Sequence, residues 1–440
     1  MSGPALTDDT LIRRMRAAVA GELLARVGAE QQAGRHMERQ DQEVLGRHLI
    51  NTELQRHAQN CIARNVDAPS GLEWEVLARA VFDRLFNLGL LQPLLDDERI
   101  TNITAYGYDQ VFVEYADGTK VPGPPIAASD TELIEMFREY GRRYGLSERE
   151  FNPSRPSIEV PLPGGSRFFG MAWVCERPCL AIRRHRFLKV TLADEQGLGL
   201  IDHGLTGFLG ASVRAGKQIM IAGPTGAGKT TLLRALASEI PAAERIITIE
   251  TEKELGLDQF PDLHPDCIAL EAREPNVEGT GAVTVADLVR KSLRMNPDRV
   301  LVGEVRGDEV IPMLNAMSQG NDGSMCTIHA DSSGTVFNRI ALYAMQAPER
   351  LPLEVAFQLA AEAIDLVVFI AKRRGQRFVS SIRQVAGAEE RMVITNELYR
   401  PGPDRRAVPS SPIPSELLEE LCDAGYDPTL HHNPDGWWDR

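Results

Sequence analysis

Cysteine, aromatic residues, positive charge and long apolar runs are all scarce in this 440-residue chain, and each scarcity removes a class of protein. Six cysteines are scattered along it (Cys61, Cys175, Cys179, Cys267, Cys326 and Cys422). Only Cys175 and Cys179 lie close together, without a second Cys or His pair at zinc spacing, so the pattern reads as free buried thiols in a reducing compartment. The apolar run "AIDLVVFIA" (Ala363–Ala371) is half the ~18–20 residues that span a bilayer, and reads as a buried strand. The first residues, "MSGPALTDDTLIRRMRAAV", lack the apolar stretch and small-residue cleavage site of a secretory signal. A cytoplasmic protein is expected. The formal net charge of −14 argues against a nucleic-acid coat protein and gives no support for binding an anionic membrane.

What is present is the composition of an ordinary globular protein, 43% hydrophobic and 25% charged, at a length that points to two or three domains. The texture changes along the chain. Residues 1–90 read as a helical extension: "DDTLIRRMRAAVAGELLARV" sets Leu11, Met15, Val19, Leu23 and Val27 at four-residue steps, and "DQEVLGRHLINTELQRHAQNCIARN" behaves alike. Such stripes mark packing faces. Residues 91–188 read as a small α+β domain. It holds the strands "ITNITAYG" and "QVFVEYADGTKV", the helix "DTELIEMFREYGRRYG", a hairpin about Gly164-Gly165 and a closing strand "CLAIRRH". Residues 189–212 read as a linker. Over 213–400 strands and helices alternate, the mark of a parallel sheet, and end in what reads as an antiparallel meander from "IDLVVFIA" onward. The Pro-, Asp- and Ser-rich tail 401–440 is expected to be loosely ordered.

Chemistry concentrates in "AGPTGAGKTTLLRAL". Gly223, Pro224, Thr225, Gly226, Ala227, Gly228, Lys229 and Thr230 satisfy G-x-x-x-x-G-K-[ST], with Thr231 following. The glycines let backbone N–H groups surround phosphate oxygens, and the helix that follows adds its positive end. Lys229 suits the β- and γ-phosphates, and the Thr230 hydroxyl suits Mg²⁺. A β-rich run precedes the motif and good helix formers follow, so the flanks fit too. In parallel-sheet logic the rest of the site lies at the carboxyl ends of neighbouring strands. "RIITIE" ends in Glu250, "RVLVGE" in Glu304 and "SMCTIH" in His329. Acidic groups there can hold Mg²⁺ or orient an attacking water.

Together with "QVFVEYADG", "LPGGSRF", "AIRRH", "ITIETEKEL", "EPNVEGTGAVTVADLVRKSLRMNPDRVLVGEVRG" and "MSQGNDGSMCTIHA", these motifs make the chain from about Leu91 to Pro401 resemble the secretion ATPases of type II secretion, type IV pilus and type IV secretion systems. Within them it looks most like the CpaF-like ATPases of tight-adherence (Flp/Tad) pili. The resemblance implies an α/β fold: a RecA-like P-loop ATPase motor domain preceded by a small α+β, PAS-like N-terminal domain. It implies a ring, normally a hexamer, that hydrolyses ATP with Mg²⁺ and works on inner-membrane platform proteins. Membrane contact would run only through those partners. By position, Glu304 matches the Walker B glutamate, Glu250 the acidic box and His329 the histidine that senses the γ-phosphate. Arg167, Arg183 and Arg184 are the candidates for N-terminal arginines that reach the nucleotide, a task suited to a planar guanidinium. Read without the family, "IRRHRF" is equally a solvated basic strand end.

Two positions depart from the family pattern. Thr251 stands where an aspartate is common, and Asn321 where a histidine is common; Asn321 cannot take up a proton. The competing reading is a RecA-like nucleic-acid motor for conjugative DNA transfer or helicase work. The acidic composition and the lack of an aromatic-rich basic stretch count against it. A scaffold that binds ATP without hydrolysis is disfavoured by intact Lys229, Thr230 and Glu304.

Overall fold

In the computed structural model, the residues described are 9–32, 35, 37–66, 71–115, 118–144, 151–162, 165–184, 189–273, 275 and 279–432. The chain divides into two compact units, Met1–His185 and Arg186–Arg440.

The first unit opens with helices Asp9–Gln32, Arg39–Ala63 and Gly71–Phe86. They close around Ile12, Met15, Val19, Leu49, Leu54 and Leu77. The buried face of the first helix therefore steps by three and four residues, and Leu11, Leu23 and Val27 are only half-buried. A partner pair of helices needs a wider stripe than one four-residue row supplies. Six strands follow: β1 (Ile100–Tyr106), β2 (Gln110–Tyr115), β3 (Lys120–Pro122), β4 (Ser157–Pro161), β5 (Arg167–Met171) and β6 (Cys179–Arg183). They form one antiparallel sheet in the order β3-β2-β1-β6-β5-β4. One face alternates into the core, where helix Asp130–Tyr144 lays Leu133, Phe137 and Tyr140; the Phe137 and Phe168 rings meet edge-on at 5.1 Å. Of the hairpin expected about Gly164-Gly165, β4 and β5 pair as anticipated, while Gly164 lies outside the described residues.

The second unit carries β7 (Ile219–Gly223), β8 (Ile246–Glu250), β9 (Cys267–Glu271), β10 (Arg299–Val305), β11 (Met325–His329), β12 (Leu366–Arg373), β13 (Gln376–Glu389), β14 (Met392–Pro401) and β15 (Ala407–Pro409). Their order is β15-β14-β13-β12-β7-β11-β10-β8-β9. From β12 to β9 every pair is parallel, and β13 to β15 add an antiparallel edge. Strand β12 was expected wholly within a meander; it is parallel to β7 on one side and antiparallel to β13 on the other. Apolar cores lie on both faces of this sheet, so β7 and β8 are buried at every residue.

Two compositional expectations are corrected. The stretch 189–212 is not a linker: it forms helices Leu192–Gly197 and His203–Arg214, capped by Thr191 and Asp202, and puts Leu192, Leu205, Phe208 and Leu209 into the core. The tail is not loose through residue 432. Strand β15 and helix Ser415–Asp423 bring Leu417, Leu421 and Tyr426 into the same core, with the Tyr426 ring 5.8 Å from that of Phe208. A few well-spaced apolar residues outweigh the polar composition around them. The thiols also differ from expectation: Cys326 is buried, Cys422 exposed and the other four intermediate, all of them free.

Candidate nucleotide site

Strand β7 ends at Gly223 and helix Lys229–Ala237 begins six residues later. The turn between them needs Gly226 at φ 70° and Gly228 at φ 97°, a left-handed backbone that side chains disfavour. The first-turn N–H groups of the helix have no intrahelical acceptors, so the loop is built to meet an anion. Lys229 is buried at its centre. Its ammonium donates to Gly223 O at 3.2 Å, to Pro224 O at 3.3 Å and to His329 Nδ1 at 3.0 Å. Burial lowers its pKa, with Glu304 pulling the other way.

Strand order explains why these groups meet: β11 lies beside β7 and β10 beside β11, all parallel, so their carboxyl ends share one edge. His329 closes β11 and Glu304 sits near the end of β10. Nδ1 of His329 lies 3.0 Å from the Lys229 ammonium and 3.3 Å from Gly223 O, and its Nε2 lies 2.5 Å from Glu304 Oε1. Arg306 Nε donates to the other carboxylate oxygen at 2.6 Å. Lys229 at the start of its helix, His329 at the end of β11, and Glu304 and Arg306 at the end of β10 thus stand in one row of polar groups.

Glu250 is brought to the same edge but turns inward. Its Oε1 accepts from the N–H groups of Glu254 and Leu255, each at 3.0 Å, and burial pushes its pKa up to about 7. Arg234, from the phosphate-loop helix, grips the carbonyls of the same two residues. Held on both polar sides, this loop delivers Glu254, whose Oε2 is 3.5 Å from Thr230 Oγ1. Gly303 has to be glycine here, since a Cβ would stand 2.8 Å from Glu250 Cγ. Thr230, Glu250, Glu252, Glu254, Glu304 and Arg306 line one small cleft. Sequence reasoning missed Glu254 and Arg306. Both lie inside quoted motifs, but neither ends a strand.

Among the described residues no cluster of three or more His, Cys, Asp or Glu side chains is arranged to hold a metal unaided. The Thr230 hydroxyl and the Glu254 and Glu304 carboxylates are hard oxygen donors that leave room for phosphate and water oxygens. That is the sparse donor set Mg²⁺ accepts.

The arginine candidates separate. Arg167 and Arg183 stand opposite each other on β5 and β6. The Arg184 guanidinium instead donates to the carbonyls of Asp97 and Ile100, bracing its own unit. Asn321 is buried at the turn leading into β11, at the end of that strand away from His329, where its Nδ2 donates to Ala316 O at 3.0 Å. A histidine's charge is not called on there. Thr251 is exposed.

Fold and site together define a P-loop ATPase of RecA-like architecture. Residues 166–397 match the family described as Type II/IV secretion system protein, and the chain belongs to that family. PtlH, a type IV secretion system protein of Bordetella pertussis, is 37% identical over 66% of this chain and 91% of its own. A Mycobacterium tuberculosis protein whose name assigns it to conjugal transfer is 35% identical over 72% of this chain and 90% of its own. The crystal structure of the Brucella suis VirB11 ATPase, from a type IV secretion system, in complex with sulphate, is 31% identical over 67% of this chain and 95% of that one, at a TM-score of 0.36.

Proposed function

We propose that this protein is an Mg²⁺-dependent ATP-hydrolysing motor that works as a ring, normally a hexamer, at the cytoplasmic face of an inner membrane. It would power pilus assembly or protein secretion through membrane platform proteins, with a CpaF-like pilus ATPase as the nearest description. The observation that carries this reading is the row of polar groups that sets Lys229, His329, Glu304 and Arg306 side by side. Lys229 contacts two loop carbonyls and His329. Phosphate oxygens would take Lys229 from those partners, releasing His329 to report on the γ-phosphate through Glu304. Glu304 would orient the water whose oxygen bonds to the γ-phosphorus as the bridging P–O bond breaks. Mg²⁺ held by Thr230 with Glu304 or Glu254 would neutralise phosphate charge. Glu250 acts by holding the acidic loop in place. Arg167 and Arg183 are the candidates for cations supplied by the N-terminal unit of this or another copy. No described helix is long and apolar enough to cross a membrane.

The test is steady-state ATP hydrolysis against protein concentration, with and without single-stranded DNA, beside Glu304→Gln. Turnover that rises with concentration, ignores DNA and is lost in the variant is expected. Strong stimulation by DNA would replace the secretion motor with a nucleic-acid motor.

A further inference from the structure

The loop 172–178, which joins β5 to β6 in the first unit, brings two thiols together. Cys179 is the cross-strand partner of Met171 at the loop end of that pairing. Cys175, in the loop itself, turns back so that its Sγ donates to Met171 O at 3.9 Å. Both thiols gather over one residue, and they lie within hydrogen-bond reach of each other. Both residues are half-buried, so a small reagent can reach them. The other four cysteines stand on separate elements: Cys61 on helix Arg39–Ala63, Cys267 on β9, Cys326 on β11 and Cys422 on helix Ser415–Asp423.

Arg177, between the two thiols, holds the loop in this shape. Its Nε donates to Asp130 Oδ2 at 2.7 Å, and its Nη2 to Asp130 Oδ1 at 2.9 Å and Asp109 Oδ1 at 2.8 Å. The loop is thereby tied to the start of helix Asp130–Tyr144 and to the β1–β2 turn, where Gly107 N donates to Pro178 O at 2.7 Å. Gly107 has to be glycine, because a Cβ there would collide with the Arg177 guanidinium. On the other side of Cys175, the Trp173 ring lies 4.6 Å from that of Phe151, with the Arg138 guanidinium 5.5 Å from its centre. A backbone fixed on both sides leaves the thiols little entropy to lose on joining. That favours a bond within the loop over one to a separate molecule. Burial raises the Cys179 pKa, with Cys175 adding to the shift, so Cys179 rests as a thiol.

We propose that Cys175 and Cys179 form a redox-responsive dithiol, closed to a disulfide by small-molecule disulfides of the glutathione class, and that closure fastens the β5–β6 loop. The thiolate of one cysteine attacks a sulfur of glutathione disulfide, forming a mixed disulfide and expelling one glutathione thiolate. The other cysteine, losing its proton, attacks the protein sulfur of that bond and expels the second glutathione. The protons of the two cysteines end on the two glutathione thiols. The protein pair is thus oxidised by two electrons and glutathione disulfide is reduced by two; free glutathione reverses both steps.

Peptide mass spectrometry on the full chain tests it. Pro178 follows Arg177 and blocks tryptic cleavage there, so both thiols fall on one peptide, residues 168–183. After the native protein is incubated with glutathione disulfide, that peptide should be lighter by two hydrogens and free of glutathione, while exposed Cys422 carries an adduct. Of Cys175→Ser and Cys179→Ser, the variant that keeps the attacking thiol should carry glutathione on this peptide instead. In urea the wild-type ratio of disulfide to adduct should fall about tenfold, because the clamp at Arg177 is gone. Chymotrypsin should cut after exposed Trp173 severalfold more slowly once the native chain is oxidised. Glutathione adducts on the native wild-type peptide, or an unmodified peptide when Cys422 is fully modified, overturn the assignment; both are read on the wild type, so a variant that fails to fold does not shield it. An unchanged ratio in urea would trace closure to sequence spacing alone and overturn the part played by the fold. Equal chymotryptic rates would overturn the fastening of the loop.

Discussion

The two sheets of this protein reveal function to different degrees, and burial is the reason. In the nine-stranded sheet, β7 and β8 are buried at every residue, and β10 at all but Glu304. A strand covered on both faces has no solvent side for a polar residue, so polar groups collect at its carboxyl end. Glu304 and His329 could therefore be picked out by position. In the six-stranded sheet burial alternates, as in the exposed-buried rhythm of β4. Arg167 and Arg183 occupy the outward half of that rhythm, where a charged residue is expected whatever the protein does.

The largest effect that tests this contrast is on turnover. Glu304→Gln should lower kcat by about 100-fold or more, within the range of a lost base, while ATP still binds. Arg183→Ala should leave nucleotide binding to the second unit intact and alter kcat by much less than Glu304→Gln. Turnover equal to wild type in Glu304→Gln would remove the strand-end argument for that residue.

Stability should separate the sheets as well. Leu301→Ala, in fully covered β10, should cost about 2–5 kcal/mol by chemical denaturation. Phe112, 43% exposed on β2, should cost distinctly less when truncated to alanine. Equal losses would mean that exposure on the smaller sheet is not what it is taken to be.

Position identifies a strand end but not the direction of its side chain, and Glu250 shows the difference. It shares an edge with Glu304, yet spends its carboxylate on two backbone N–H groups. Glu254 reaches Thr230 from a loop, where no periodicity points to it. The helices at Leu192–Gly197 and Ser415–Asp423 were hidden by composition, because sparse apolar residues are enough when a neighbouring helix offers a matching face. Arg184 was indistinguishable from Arg183 in the sequence; only the fold shows it turned toward its own backbone.

The inward turn of Glu250 has a consequence for pH. Its folded pKa, raised to about 7 by burial, stands above the ordinary value near 4.3 of an unfolded chain. Between those values the folded protein keeps a proton that the unfolded chain has lost, so stability falls as pH rises through that window and levels off above 7. Each unit of the shift corresponds to about 1.4 kcal/mol. Glu250→Gln should flatten that part of the profile, read as the unfolding midpoint at pH 5.5 against pH 8. An unchanged slope would mean that other buried acids carry it, such as Glu195 at about 7 and Asp202 at about 6.

The smallest effect concerns the helical extension. Its first helix anchors Ile12, Met15 and Val19 in its own bundle and reaches helix Asp130–Tyr144 through charge: Arg13 to Glu132 at 2.8 Å and Arg16 to Glu139 at 3.7 Å. All four side chains are about a third or more exposed, so water and salt screen them, and such pairs contribute about 0–1 kcal/mol. A double-mutant cycle on Arg13 and Glu132 should give a coupling below about 1 kcal/mol that fades with added salt. A larger, salt-resistant coupling would place apolar burial or a hydrogen-bond network at that contact. The extension would then be as firmly built as the sheet it adjoins, and the contrast between covered and exposed regions would have to be drawn elsewhere in the chain.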